Sequence, residues 1–154
     1  MLLCYNLFMA IDQKQRWNLR HRKNKVELQE PTAFAKEVAL LTHSNGKLLE
    51  VGCGTGSDAY FFAQQGMIVT ATDFSDVAIA NNKEKYSSPN VLFQVMDMSK
   101  KLPFSDKEFD VVYSRLSLHY FTDSVTKSIF KEINRILKPH GSMFYRQIGK
   151  RPTL

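Results

Sequence analysis

Apolar positions along the chain alternate between two spacings. The runs "KLLEV" (47–51), "MIVTATD" (67–73), "VLFQVMD" (91–97), "DVVYSRL" (110–116) and "SMFYRQI" (142–148) are short, rich in aliphatic and β-branched residues, and read as strands. The segments between them carry helical spacing. "PTAFAKEVALLTHSN" (31–45) opens on a proline suited to a first helical turn and sets Phe34, Val38 and Leu41 on one face. "SDAYFFAQQ" reads as a helix stopped by Gly66 at C′, and "FSDVAIANNKEKY" as a helix capped by Ser75 with Val77, Ile79 and Ala80 as its apolar positions. "TDSVTKSIFKEINRILK" places Val125, Ile129, Ile133 and Ile136 or Leu137 on one stripe, with Asp123 in the first turn, Lys138 in the last, and Pro139 and Gly141 ending it. "MSKKLPFSDKEF" is a polar connection, and Asp106, Glu108 and Asp110 read as a solvated turn entering a strand. Strands alternating with helices pair in parallel through right-handed crossovers. The expected fold is therefore α/β: a Rossmann-like open, mainly parallel sheet with helices on both faces.

Composition narrows the class without changing that picture. A chain of 154 residues, 44% apolar and 23% charged, is an ordinary globular domain with one sizeable core. The formal charge of +6 is concentrated early, in "KQRWNLRHRKNK". This run reads either as a solvated basic helix face or as a footprint for an anionic partner; with Trp17 as its only stacking aromatic, nucleic acid is not favoured. Residues 1–30 read as an extension plus a basic helical segment ahead of an α/β domain at 31–154, and residues 1–8, before "MAIDQKQRW", as an upstream-start extension. Cys4 and Cys53 are too few for a zinc site or a disulfide framework, which suits a reducing, cytoplasmic setting. The apolar opening lacks a basic flank and a cleavage site, so neither a signal peptide nor a membrane span is expected.

The chemistry gathers at one edge of the expected sheet. Ligands of such sheets bind beyond the carboxyl ends of the strands, where strand order reverses. "GCGTG" follows the first strand directly, and Gly52, Gly54 and Gly56 allow positive φ and close approach of backbone amides to a ligand. A dinucleotide fingerprint would put its third glycine where Ser57 stands, which disfavours a nicotinamide-dependent oxidoreductase; a purely structural turn is the other alternative. Glu50, Asp73 and Asp97 end the first three strands or nearly so, and a carboxylate at the second strand's end suits a vicinal ribose diol.

"LLEVGCGTGSDA", "ATDFS", "DMSKKLPFSDKEFDVVYSRLSLHYF" and "ILKPHGSMF", in this order and spacing, resemble the class I S-adenosylmethionine-dependent methyltransferases over roughly residues 31–148, most closely the small-molecule branch. The resemblance implies S-adenosyl-L-methionine as cofactor. By it, Glu50, Gly52, Cys53, Gly54 and Gly56 match the loop around the methionine part, Asp73 the ribose-binding acid and Phe74 the neighbour bordering the adenine. Asp97 matches the acid that meets the adenine amino group, with Met98 beside it. Ser114, Arg115 and Leu116 match the segment facing the methionine moiety and the substrate.

The implied reaction is in-line transfer of a sulfonium methyl to a small-molecule acceptor, in which alignment supplies most of the catalysis. His119 is the candidate general base and Tyr120 a candidate pocket residue; a packing role for His119 is the alternative. Trp17 is a candidate lid aromatic, with packing again the alternative. The resembled fold normally continues past the fifth strand, whereas "GKRPTL" follows here. An uncovered fifth strand would invite pairing, hence a candidate homodimer through that edge. A truncated core, or a non-catalytic cofactor-binding module without turnover, is the alternative function.

Overall fold

The computed structural model describes residues 12–23 and 28–148. The expected extension at 1–8, Cys4, Lys25 and "GKRPTL" lie outside them. Helix α1 (Gln13–Lys23) and α2 (Ala33–Ala39) precede β1 (Lys47–Val51), α3 (Ser57–Gln64), β2 (Ile68–Asp73), α4 (Asp76–Lys85), β3 (Val91–Val95), β4 (Phe109–Arg115), a 3-10 turn (Leu118–Tyr120), α5 (Asp123–Ile136) and β5 (Leu137–Arg146). The strands form one sheet in the order β3-β2-β1-β4-β5, every neighbouring pair parallel. Chain order runs outward from β1 to β3 on one side and from β4 to β5 on the other. The reversal between β1 and β4 opens the crevice that carries the site.

Side-chain alternation divides the core between the two faces of the sheet. Leu48, Val69, Ala71, Phe93, Val111 and Tyr113 pack with Ala35, Val38, Ala59, Phe62 and Ile79 from α2, α3 and α4. Leu49, Val51, Phe109 and Val112 pack with Ile129, Ile133 and Ile136 of α5. Helices on both faces are thus present as expected.

Local chemistry accounts for the boundaries, including several that differ from expectation. Thr32 caps α2, its hydroxyl accepting from the Ala35 N–H at 3.2 Å, so Pro31 lies before the helix. That helix stops at Ala39 and leaves Leu41 68% exposed. Ser75 caps α4 through the Ala78 N–H, but the buried face is Ala78, Ile79 and Asn82, while Ala80 is exposed. Gly66 does follow α3 in the left-handed region, at φ +87°. Helix α5 ends at Ile136, and Pro139 and Gly141 fall inside β5 instead of stopping the helix. There the register jumps from Leu137 opposite Phe109 to Ser142 opposite Val111, a bulge that accommodates a proline unable to donate to the ladder. Lys138 lies beyond the helix and reaches Asp110 at 2.8 and 2.9 Å.

The acids read as a solvated turn hold this half of the molecule together. Asp106 pairs with Arg135 at 2.8 Å, Glu108 accepts from the Ser105 N–H, and Asp110 accepts from the Lys47 N–H. Arg135 also donates to Glu132 and to the Leu102 and Phe104 carbonyls. Its guanidinium, with the Leu102 N–H, holds the Glu132 carboxyl at about 2, below its ordinary 4.5. A depressed carboxylate stabilises the fold above the ordinary value and loses that contribution as pH falls toward 2. Glu132→Gln is therefore expected to lower Tm at pH 7, with the gap to wild type closing as thermal melts are taken below pH 4.5. A gap that stays constant to pH 2 would contradict the assignment.

Candidate functional site

The loop after β1 is built on three left-handed glycines, Gly52 (φ +79°), Gly54 (φ +52°) and Gly56 (φ +75°), but each is required for a different reason. A Cβ on Gly52 would lie 2.6 Å from Ser117 Cβ, and one on Gly56 would lie 2.8 Å from Asn82 Cγ. Among the described residues, a Cβ on Gly54 would meet nothing nearer than His21 Cε1 at 4.0 Å. Gly54 alone is therefore bare toward open space. The Gly52 and Cys53 N–H groups both donate to the Thr72 carbonyl at 2.8 Å, and the Asn82 amide donates to the Gly54 carbonyl at 2.9 Å. Gly56→Ala is expected to cost about 2–4 kcal/mol from left-handed strain plus overpacking, read as a drop in Tm. An unchanged melt would refute the packing account.

Beyond the loop lies a cavity of about 710 Å3 at the carboxyl ends of the strands, within the range of small-ligand sites. Glu50, Gly52, Cys53, Gly54, Asp73, Phe74, Asp97, Met98 and Leu116 line it together, as does Trp17 from α1. Gly56, Ser114 and His119 are not among the residues that line it. Gly56 is turned into Asn82, as above. Ser114 is buried and hydrogen-bonds the Ser117 hydroxyl, which lines the cavity and donates to the Val51 carbonyl at 3.1 Å. His119 packs on Tyr120, ring centroids 4.0 Å apart, with Nδ1 buried and unpartnered; Tyr120 lines the cavity in its place.

The carboxylates differ in how far they are satisfied. Asp73 accepts from the Gly54 N–H on one oxygen and the Ser75 N–H on the other, at 2.8 and 2.9 Å. Asp97 takes both the backbone and hydroxyl donors of Ser99 on one oxygen. Asp58, which the sequence reading passed over, accepts from the Thr32 N–H, the Thr32 hydroxyl and the Tyr113 hydroxyl, and so ties the start of α2 to the cavity wall. Glu50 is 3% exposed, and among the described residues its Oε2 has no partner. Burial pushes its pKa well above the usual carboxylate range, and the nearby Asp58 and Asp73 push it further. Burial likewise raises the Cys53 thiol, with Asp73 and Glu50 adding to the shift, so Cys53 is held as a neutral thiol and not as a nucleophile.

Helix α1 forms a wall of which sequence reasoning had named only Trp17. Asn18 accepts from the Ser75 hydroxyl at 2.6 Å, the His21 carbonyl accepts from Asn81, and Lys14 pairs with Asp76 at 3.7 Å. These bonds lay α1 along α4 and bring Arg20 and His21 to the cavity beside Trp17. Burial lowers the His21 pKa against the opposing pull of Asp73. Trp17 meets Tyr120 edge-on at 5.0 Å, so side chains from the two halves of the crevice touch across it. Leu116, at φ +56°, is a left-handed non-glycine residue at the end of β4, the kind of strain that gathers at functional sites.

A family model described as a methyltransferase domain matches residues 48–141, more than half of the chain. The chain belongs to that methyltransferase-domain family. Among its relatives, an uncharacterized methyltransferase of Synechocystis is 34% identical over 95 residues, covering 62% of this chain and 43% of the relative. The malonyl-[acyl-carrier protein] O-methyltransferase of Pectobacterium atrosepticum is 30% identical over 123 residues, covering 80% and 47%. A crystal structure of a TehB-like methyltransferase from Corynebacterium glutamicum shares the fold at a TM-score of 0.66 with 21% identity, covering 85% of this chain and 68% of that one. The domain thus spans less than half the length of the curated relatives it matches. The sequence resemblance and the class I fold it implied are both borne out.

Proposed function

We propose that this domain binds S-adenosyl-L-methionine in the crevice between β1 and β4 and transfers its methyl group to a small molecule. The observation that carries this reading is the combination of bare backbone at Gly54 with the unpartnered, buried Glu50 oxygen in the same cavity. The donor set fits the cofactor: Glu50 would hold its cationic end, Asp73 its ribose hydroxyls, and Asp97, flanked by Met98, its base. When bound, the cofactor supplies a methyl already activated by the sulfonium. The chain's own residues then bind, align and exclude water, with Leu116 and Ser117 walling the β4 side and the Trp17–Tyr120 contact closing the mouth. Alignment of this kind is worth up to about 7–11 kcal/mol, so no acid–base pair is demanded.

The relative named for malonyl-[acyl-carrier protein] supports methyl transfer to a small acyl group, in that protein one borne on a carrier protein. Among the described residues no helix is long and apolar enough to cross a membrane, and we extend the proposal to the cytoplasm, where the free Cys53 thiol would stay reduced. Among the described residues β5 is an edge strand, which supports self-association; sedimentation equilibrium tests it, and a monomer at all concentrations would reject it.

Titration calorimetry with S-adenosylmethionine, its demethylated product and NAD tests the core reading. Binding of the first two and not of NAD is expected, followed by turnover on a panel of small acceptors. Asp73→Ala is expected to weaken cofactor binding by about 1–3 kcal/mol through lost charge-assisted hydrogen bonds. Wild-type affinity in that variant would remove Asp73 from the site.

A further inference from the structure

Three of the cavity's aspartates have hydrogen-bond donors within the protein, whereas its two guanidinium groups make no salt bridge among the described residues. Asp58, Asp73 and Asp97 each accept two or more hydrogen bonds from neighbouring backbone or hydroxyl donors. Arg20 and Arg115 also line the cavity, and both are exposed. Among the described residues neither guanidinium makes a salt bridge, in contrast to Arg135, which has two. The Arg20 guanidinium carbon lies over the Trp17 ring, 5.5 Å from its centroid, a cation–π contact that leaves its N–H groups able to donate elsewhere. Trp17 in turn meets Tyr120, five positions after Arg115. Two guanidinium groups without a salt bridge among the described residues therefore line the cavity beside the Trp17–Tyr120 contact, and the Arg115 charge also acts on the buried Glu50 carboxyl, lowering its pKa against the effect of burial. The acids Asp12 and Glu30 line the same mouth without pairing with either. A guanidinium fork matches a carboxylate or phosphate in a bidentate fashion, and a neutral or cationic group would leave those donors unused.

We infer that the methyl acceptor carries a carboxylate or phosphate, and that Arg20 and Arg115 are the specificity-determining residues that hold it. The inference rests on the methyltransferase reading above. It also explains one part of the basic α1 run: Arg20 serves a small anion inside the crevice, and not a nucleic acid on an outer face.

The test uses the full chain saturated with S-adenosylmethionine and a panel of amines, hydroxy compounds and thiols, each as a carboxylate or phosphate and as its methyl ester or amide. Turnover is expected only for anionic members. Arg20→Gln and Arg115→Gln are each expected to raise the acceptor KM at least tenfold, with cofactor Kd changed less than twofold by calorimetry; Arg→Lys variants, which keep charge and lose the fork, are expected to fall between. Several outcomes overturn the inference. Esters or amides that turn over as well as their acids do so, as does a bound cofactor with no turnover of any anionic member. A tenfold loss of cofactor affinity with unchanged acceptor KM would assign the arginines to the cofactor's own carboxylate and equally overturn it. Failure of the cofactor to bind wild-type protein would instead overturn the methyltransferase reading itself.

Discussion

Gly54→Val is expected to abolish measurable cofactor binding, with Kd raised on the order of a hundredfold or more, about 2.7 kcal/mol, in a protein that still folds. The new Cβ finds no protein atom nearer than His21 Cε1 at 4.0 Å, so it projects into cavity space that the ligand needs, and its branches press on His21 and the α1 wall. A β-branched residue at φ +52° adds strain of about 1–3 kcal/mol, which lowers Tm by several degrees without unfolding the chain. Gly54→Ala carries comparable strain with less bulk and separates the two effects. Calorimetry on both, beside thermal melts, decides the matter: wild-type affinity in the valine variant would mean that the ligand does not pass this backbone.

Glu50→Gln is expected to make the protein more stable and a worse binder. Glu50 is buried beside Asp58 and Asp73, with its pKa raised well above the ordinary 4.5. Between that ordinary value and the raised one, the folded state keeps a proton that the unfolded state has released. Its contribution to stability is therefore greatest below pH 4.5 and declines as pH rises through the folded value. The glutamine variant escapes that decline, so its Tm should exceed wild type at pH 7 and converge with it below pH 4.5. A cationic ligand favours the ionised carboxylate, so wild-type binding should expel a proton and tighten with pH across the same window. The variant should lose about 2–3 kcal/mol of affinity, roughly 30–150-fold, together with the proton release. Calorimetry in buffers of different ionisation enthalpy reads both. Equal affinity and proton release in the variant would clear Glu50 of the role.

What the sequence disclosed, and what it did not, follows from the range of the interactions concerned. The strands and the helices of the sheet were legible because each buries a periodic apolar face, and β1, β2 and β4 deliver Glu50, Asp73 and Leu116 to one crevice by topology alone. Helix α1 has almost no apolar face, so its packing on α4 through Asn18, Asn81 and Lys14 left no periodic trace. Its charge read either as a solvated face or as an anion footprint, with no pattern that singled out Arg20 or His21 as wall residues. Asp58 was equally silent, since its partners Thr32 and Tyr113 are 26 and 55 positions away. The one available signal was an acid inside the loop helix next to a core-facing Ala59. His119, read from its place after β4 as either a base or a packing residue, packs on Tyr120, and Tyr120 lines the cavity as the sequence reading also allowed.

Asn82 sits where Gly56 has no side chain, and its amide reaches both the Gly54 carbonyl and, at 3.7 Å, the Cys53 sulfur. The two positions are thus sterically bound to one another. A lineage that placed any side chain at 56 would first have to shrink residue 82, and in doing so would surrender the brace that keeps the loop's shape independent of whatever occupies it.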